Sequence, residues 1–205
     1  MLIELQQRVL HKADELFRTY GIRSVTMDDI AKALGISKKT LYQSYSDKDL
    51  LIQETVDMTI SNHYKGILSC KGIAAENAIH EQFAINELLG KMMHGINPIM
   101  FYDLQKYYPS IWNKFSEFRN TKVLAEIQDN ISRGIKEGLY RNDFDVLVQS
   151  KMRLAEIDSC FKYDIFPPSN FSIVQVMKQS TEMFMYGMVT LKGYKLINQY
   201  KNITE

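Results

Sequence analysis

TMDDIAKALGISKKTLYQSYSDK, residues 26–48, holds three successive helix-start signals, with a glycine and one bulky residue separating the first two helices. Thr26 is placed to cap a helix, and Asp29, three positions on, to return a bond to the Thr26 backbone. Ile30, Ala31 and Leu34 then form an apolar face whose small member lets another helix cross closely. Gly35 ends the run, because glycine takes the left-handed stop conformation without a steric penalty. Ile36 plugs the corner, Ser37 caps the next helix, and the inward positions Leu41 and Tyr45 lie four apart on it. Ser46 with Asp49 repeats the capping pair and opens a further helix. This is the outline of a helix-turn-helix.

The outward face of the second helix is Lys38, Lys39, Thr40, Tyr42, Gln43 and Ser44. Cations, hydroxyls and an amide on one exposed helix match a reader of the DNA major groove. Lys38 and Lys39 would meet phosphates or guanine, Ser37 and Thr40 phosphates or a thymine methyl, and Gln43 adenine. The same spacing also fits an ordinary helical hairpin with a solvated polar face, since this geometry occurs in proteins that never touch DNA.

ELFRTYGIRSVTMDDIAKALGISKKTLYQSYSDKDLL resembles the amino-terminal domain of the tetracycline-repressor (TetR) family. The family pattern falls on Phe17, Gly21, Thr26, Ile30, Ala31, Gly35, Leu41, Tyr42, Tyr45, Lys48 and Leu50, and covers about the first quarter of the chain. The resemblance implies a dimeric, all-helical transcriptional regulator, usually a repressor released by a small ligand. By position it implies that Thr26 holds phosphate and, with Met27, begins the second helix. It assigns Ser37, Lys38, Lys39, Thr40, Tyr42, Gln43 and Ser44 to the recognition helix, and to Lys48 a further phosphate contact. Tyr45 stands where phenylalanine is commoner, which bears on packing, and Lys39 where glycine is frequent, which bears on base preference.

The chain has 205 residues, 45% of them hydrophobic, enough for a sizeable core. No apolar run approaches the roughly 20 residues of a membrane span, and the amphipathic start MLIELQQRVLHKADELF does not read as a signal peptide. A soluble cytoplasmic protein is expected. Cys70 and Cys160 show no paired spacing and read as free thiols. The formal charge of +1 argues against indiscriminate nucleic-acid binding, yet a specific reader needs only one basic face. His11, His63, His80 and His94 are dispersed, and no metal-site, nucleophile-elbow or phosphate-loop spacing appears, so neither an enzyme nor a cofactor is expected.

Helical periodicity runs throughout. Val9, Ala13, Leu16, Phe17 and Tyr20 predict a first helix over residues 3 to 20. A fourth helix is expected from Asp47 to Leu68, a fifth from near Ala74 to Gly95, a sixth behind Asn97-Pro98, and a seventh from Pro109 to about Gly138. An eighth should run from Phe144 to Tyr163, and after the loop at Pro167–Asn170 comes one last long helix. The expected fold is all-α: a three-helix helix-turn-helix domain over residues 1–50, and a larger helical effector-binding and dimerisation domain over 51–205.

Residues 97–118 are the aromatic centre, with Phe101, Tyr102, Trp112, Phe115 and Phe118, flanked by Met92 and Met93. The resemblance implies an effector cavity among helices 4 to 7, and with Met58 on helix 4 these are the candidate lining residues. A stripe of this kind is also ordinary core. On the last helix Val174, Met177, Thr181, Phe184 and Met188 step by three and four, a helix seam. With Leu154 and Phe161 on the helix before, they are the candidate dimer interface, burial within one chain being the alternative. The combined expectation is a homodimeric, sequence-specific repressor on a palindromic operator in double-stranded DNA, released by an unidentified small effector. The alternative is a DNA-binding protein of this fold that answers to a protein partner or organises DNA.

Overall fold

Val9, Ala13 and Phe17 recur every fourth residue along α1 (Leu2–Tyr20), and all three are sealed from solvent. Tyr20, three residues after Phe17, is 60% exposed, next to Gly21 with its positive φ of 83°. The computed structural model describes residues 2–71, 75–162 and 164–202, and among these it is helical, with no strand. After α1 come α2 (Met27–Leu34), α3 (Lys38–Ser44), α4 (Lys48–Ser69), α5 (Ala78–Met93), α6 (Ile99–Tyr107) and α7 (Pro109–Phe118). A π-helical turn, Arg119–Val123, joins α7 to α8 (Leu124–Lys136), followed by α9 (Val146–Ser159), α10 (Ile173–Met188) and α11 (Leu191–Tyr200). No described helix is long and apolar enough to cross a membrane.

Local chemistry sets most of these boundaries. Asn77 caps α5 by accepting the His80 amide at 2.9 Å, and Asn97 accepts the Ile99 amide at 3.1 Å as α6 begins. The expected start of the fifth helix near Ala74 and the expected end of the eighth at Tyr163 lie outside the described residues. Three boundaries differ from the sequence expectation. Asp47, not Ser46, caps α4, accepting the Leu50 amide at 2.8 Å. Asp145 caps α9 in place of Asn142 or Asp143, accepting from Val148 at 2.9 Å. The last long helix is two, because Thr190 gives its amide to the Leu139 carbonyl at 2.9 Å and its hydroxyl accepts the Gly193 amide, restarting the chain as α11.

The chain divides into two compact units, Met1–Asn62 with Gly95–Ser116, and His63–His94 with Glu117–Glu205. The expected division at residue 50 lay at the head of α4; the observed one falls within α4 and returns α6 and most of α7 to the first unit. Packing explains this: Leu104 and Ile111 are buried in the same cluster as Phe17, Ile30, Leu41 and Leu51. In the second unit α5 and α8 are joined by polar bonds as well as apolar contact. The Arg133 guanidinium donates to Glu81 at 3.0 Å, to Glu137 at 2.7 Å and to the Ala75 carbonyl at 3.0 Å, while Asn130 donates to the Ala78 carbonyl at 3.0 Å.

The π turn sits in a cluster that titrates. Arg119 at its head pairs with Asp158 of α9, and burial pulls its guanidinium down to about 10. The His63 ring of α4 lies 6.0 Å from that of Phe118 and tilted to it by 57°, its Nε2 buried without a hydrogen-bond partner. Burial, and next the Arg119 charge, push the His63 imidazole down to about 4. The unfolded chain therefore takes up this proton near pH 6.5 and the folded chain only near 4, so between those values the unfolded state binds more protons and stability falls as the pH falls. Between pH 7 and pH 4.5 the wild-type protein should lose roughly 2 kcal/mol more than a His63→Gln variant. Urea melts at the two pH values measure this, and parallel losses in both proteins would refute it.

Candidate nucleic-acid interface

α3 is positioned by three local devices. Thr26 and Asp29 form a reciprocal capping box, with the Asp29 amide donating to Thr26 Oγ1 at 3.1 Å and the Thr26 amide to Asp29 Oδ2 at 2.9 Å. The Thr26 hydroxyl and amide together hold the Asp29 carboxyl below its usual range. Gly35 takes the left-handed conformation at φ 65°, and its amide and that of Ile36 turn back to the end of α2. Ser37 then caps α3, accepting the Thr40 amide at 3.1 Å. With Leu41 and Tyr45 both buried, one face of α3 is committed to the core. The Tyr45 hydroxyl donates to Glu54 at 2.9 Å, and burial raises its pKa.

The opposite face is open. Ser37, Lys38, Lys39, Tyr42 and Gln43 are exposed and Thr40 is half-buried. Lys38 reaches back to Asp28 of α2, an ion pair with an exposed lysine and a half-buried carboxylate, and such solvent-screened pairs are cheap to exchange. Lys39 has no ion pair among the described residues. Thr26 is exposed beside this face.

Three of the expected contact residues are placed otherwise. Ser44 is only 8% exposed, its hydroxyl 3.4 Å from the Thr40 carbonyl, because residue 44 follows Leu41 by one turn on the inward side. Met27 is likewise core, packed with Ile30 and Ala31. Lys48 is half-buried: its ammonium donates to the Ile22 carbonyl at 2.7 Å and lies 6.0 Å over the Phe17 ring, and desolvation lowers its pKa. In the free protein Lys48 thus braces the α1–α2 loop.

Sequence reasoning missed the clamp that braces this loop from α6. The Arg23 amide donates to Asp103 Oδ2 at 2.9 Å, and the Arg23 guanidinium donates to the Tyr107 hydroxyl at 2.9 Å while lying 4.6 Å over its ring. The Asn97 amide donates to the Arg18 carbonyl at 2.7 Å. Gly21 was the available signal: at φ 83° a Cβ there would meet Ile99 Cγ2 at 2.7 Å, so something must approach closely.

The candidate effector residues are divided between the units. Met58, Phe101, Tyr102, Trp112 and Phe115 fall in the first, Met92, Met93 and Phe118 in the second. Trp112 and Phe115, with ring centroids 5.6 Å apart, pack on the core of the first unit, and Tyr102 is exposed with its hydroxyl accepting from Lys106. A separate groove of about 720 Å³ opens between α5 and α10, and none of these eight residues lines it.

Five of the seven candidate dimer residues are placed otherwise. Leu154, Met177, Thr181, Phe184 and Met188 are buried within the single chain, and Phe161 and Val174 are half-buried. Steps of three and four mark a buried helix face without saying which helix buries it. What is left exposed on α9 and α10 is a different apolar set: Leu147, Val148, Met152 and, at 78% exposure, Met183. Gly187 lies one turn beyond Met183 with open space where its Cβ would be.

Residues 9–55 match the family model described as bacterial regulatory proteins, tetR family. An uncharacterized HTH-type transcriptional regulator of Bacillus subtilis, YvaF, is 30% identical over 123 residues, 56% of this chain and 60% of that protein. An HTH-type transcriptional regulator of Staphylococcus aureus is 40% identical over 68 residues, 31% of this chain and 36% of the relative. The matched segments thus span less than two thirds of these curated relatives. Among solved structures, a TetR-family transcriptional regulator from Agrobacterium tumefaciens superposes with a TM-score of 0.76 over 93% of this chain and 100% of its own, at 11% identity. At that identity the likeness is one of fold.

Proposed function

We propose that this chain, whose residues 9–55 belong to the tetR family of bacterial regulatory proteins, is a homodimeric, sequence-specific DNA-binding repressor that a small effector releases from a palindromic operator. The observation that carries the reading is α3 itself. Its inward residues anchor it, while Ser37, Lys38, Lys39, Tyr42 and Gln43 face solvent beside the exposed Thr26. A helix held in this way can enter the major groove without rearranging the head. The exposed apolar set on α9 and α10 favours pairing of two chains into a four-helix bundle, which puts two heads on one two-fold axis. Half-sites about one DNA turn or slightly more apart follow from that symmetry.

Release requires the head to feel the rest of the molecule. α4 runs unbroken from one unit into the next, and the Arg23–Asp103–Tyr107 clamp ties the α1–α2 loop to α6. An effector that favours a state in which these helices shift would alter the separation of the two heads. Inverting a 1:99 population takes about 5.5 kcal/mol of preference.

The test is a footprint on the DNA flanking the protein's own gene, with a Lys38→Ala, Lys39→Ala double variant alongside. A palindrome protected by the wild type and not by the folded double variant is the expected result; protection by both would refute the reading of α3. Within the site, Gln43→Ala should cost about 1–3 kcal/mol of discrimination at one base pair, whereas Lys39→Ala should weaken all sites alike and reduce the salt slope by about one. Specificity profiles and salt titrations of the two variants separate these roles, and identical profiles would refute the assignment.

A further inference from the structure

We infer that the groove between α5 and α10 takes a monoanionic amphiphile, a carboxylate on an aliphatic chain, with the carboxylate on Lys178 and Asn86. The inference rests on the reading that the second unit senses a small molecule. The groove, about 720 Å³, is continuous in its lining with a smaller depression of about 310 Å³, the two sharing Phe83, Asn86 and Lys178. Volumes of this order suit a single small ligand.

Charge decides which kind. Lys91 is neutralised by Glu87 at 2.7 Å and Lys201 by Glu182 at 3.1 Å. His80 accepts the Glu76 amide at 3.2 Å through Nδ1 and stacks 5.5 Å from Tyr200. Lys178, where the two depressions meet, has no carboxylate partner among the described residues, so the lining carries one uncompensated cation. Beside it Asn86 Oδ1 stands 3.3 Å from the Thr181 hydroxyl, whose single proton also has the Met177 carbonyl at 2.9 Å, and the Asn86 amide nitrogen is a second donor. The Thr181 hydroxyl is in turn fixed behind Asn86 by the buried Arg153 guanidinium at 2.6 Å. Away from these donors the wall is mostly apolar, Phe83, Ala84, Val174 and Met177 with His94 also in the lining, and Gly90 adds no side chain. A cation and an amide at one end of an apolar trough fit a carboxylate with a hydrocarbon tail. Lys178 lies about 140° around α10 from Met183, so a dimer formed through Met183 leaves the groove open.

The experiment is titration calorimetry on the full-length protein with sodium decanoate, decan-1-ol and decyltrimethylammonium, each below its aggregation concentration, for wild type, Lys178→Met and Lys178→Arg. Decanoate should bind wild type at least tenfold more tightly than either other probe, Lys178→Met should lose that margin, and Lys178→Arg should keep most of it. Lys178 is exposed, so both variants should melt with the wild type. Equal binding of all three probes, an unchanged margin in Lys178→Met, or no binding of any probe would each overturn the assignment. Operator binding by the ligand-free protein, measured on the same preparation, is independent of all three results. Its loss would strike the DNA-binding reading instead.

Discussion

Met152→Lys combined with Met183→Lys will leave the protein folded and monomeric, and its affinity for a palindromic operator will fall by a factor on the order of 10²–10⁴. Both side chains face water in the single chain, so charging them costs little in the monomer. Pressed against a second copy, four added ammonium groups would be desolvated beside like charges, and an unpaired buried charge costs several kcal/mol. A lone head keeps its own contacts but loses the high effective concentration that the second head gains from being tethered. Light scattering gives the mass and gel shift the affinity. A double variant that remains dimeric would place the interface elsewhere, and a monomer that binds the operator at full strength would refute the two-headed reading.

The second large effect separates two glycines only six residues apart. Gly193→Ala should destabilise the protein by about 2–4 kcal/mol, because its Cβ would lie 2.3 Å from the Leu139 carbonyl oxygen, a backbone atom that cannot move aside alone. That same oxygen accepts the Thr190 amide at 2.9 Å, so relief of the clash strains the junction between α10 and α11. Gly187→Ala meets nothing within 4 Å and sits inside α10, where alanine is the better helix former, so it should hold or raise the stability by up to about 1 kcal/mol. Thermal melts should differ by roughly 10 °C between the variants at 2–4 °C per kcal/mol for a chain of this size. Equal melting temperatures would show that the 139–141 turn can give way.

What the sequence made legible was local. Thr26 with Asp29, Gly35 and Ser37 act within four residues of themselves, so the caps of α2 and α3 could be read directly from the residues. Ser44 escaped because the outward list ran past the turn that brings position 44 beneath Leu41. Asp103 escaped for the opposite reason, since its partner Arg23 is 80 residues away and no local pattern records it. The seam on α10 was legible as a buried face but not by which neighbour, and the exposed faces that remain had too few apolar residues to stand out. The π turn at Arg119–Val123 carries no proline, glycine or cap, so nothing in the residues separated it from the helix on either side.

Tyr42 and Gln43 hold nothing in place inside the molecule, whereas Leu41 and Tyr45, interleaved with them, hold α3 to the head. On the proposed reading of α3, operator preference and foldability are therefore written on different residues of one short segment, α3 and its C-cap. A duplicated gene can change its target site by single substitutions at the first set without passing through an unfolded intermediate. Its two descendants would diverge in the DNA they recognise long before they diverge in shape.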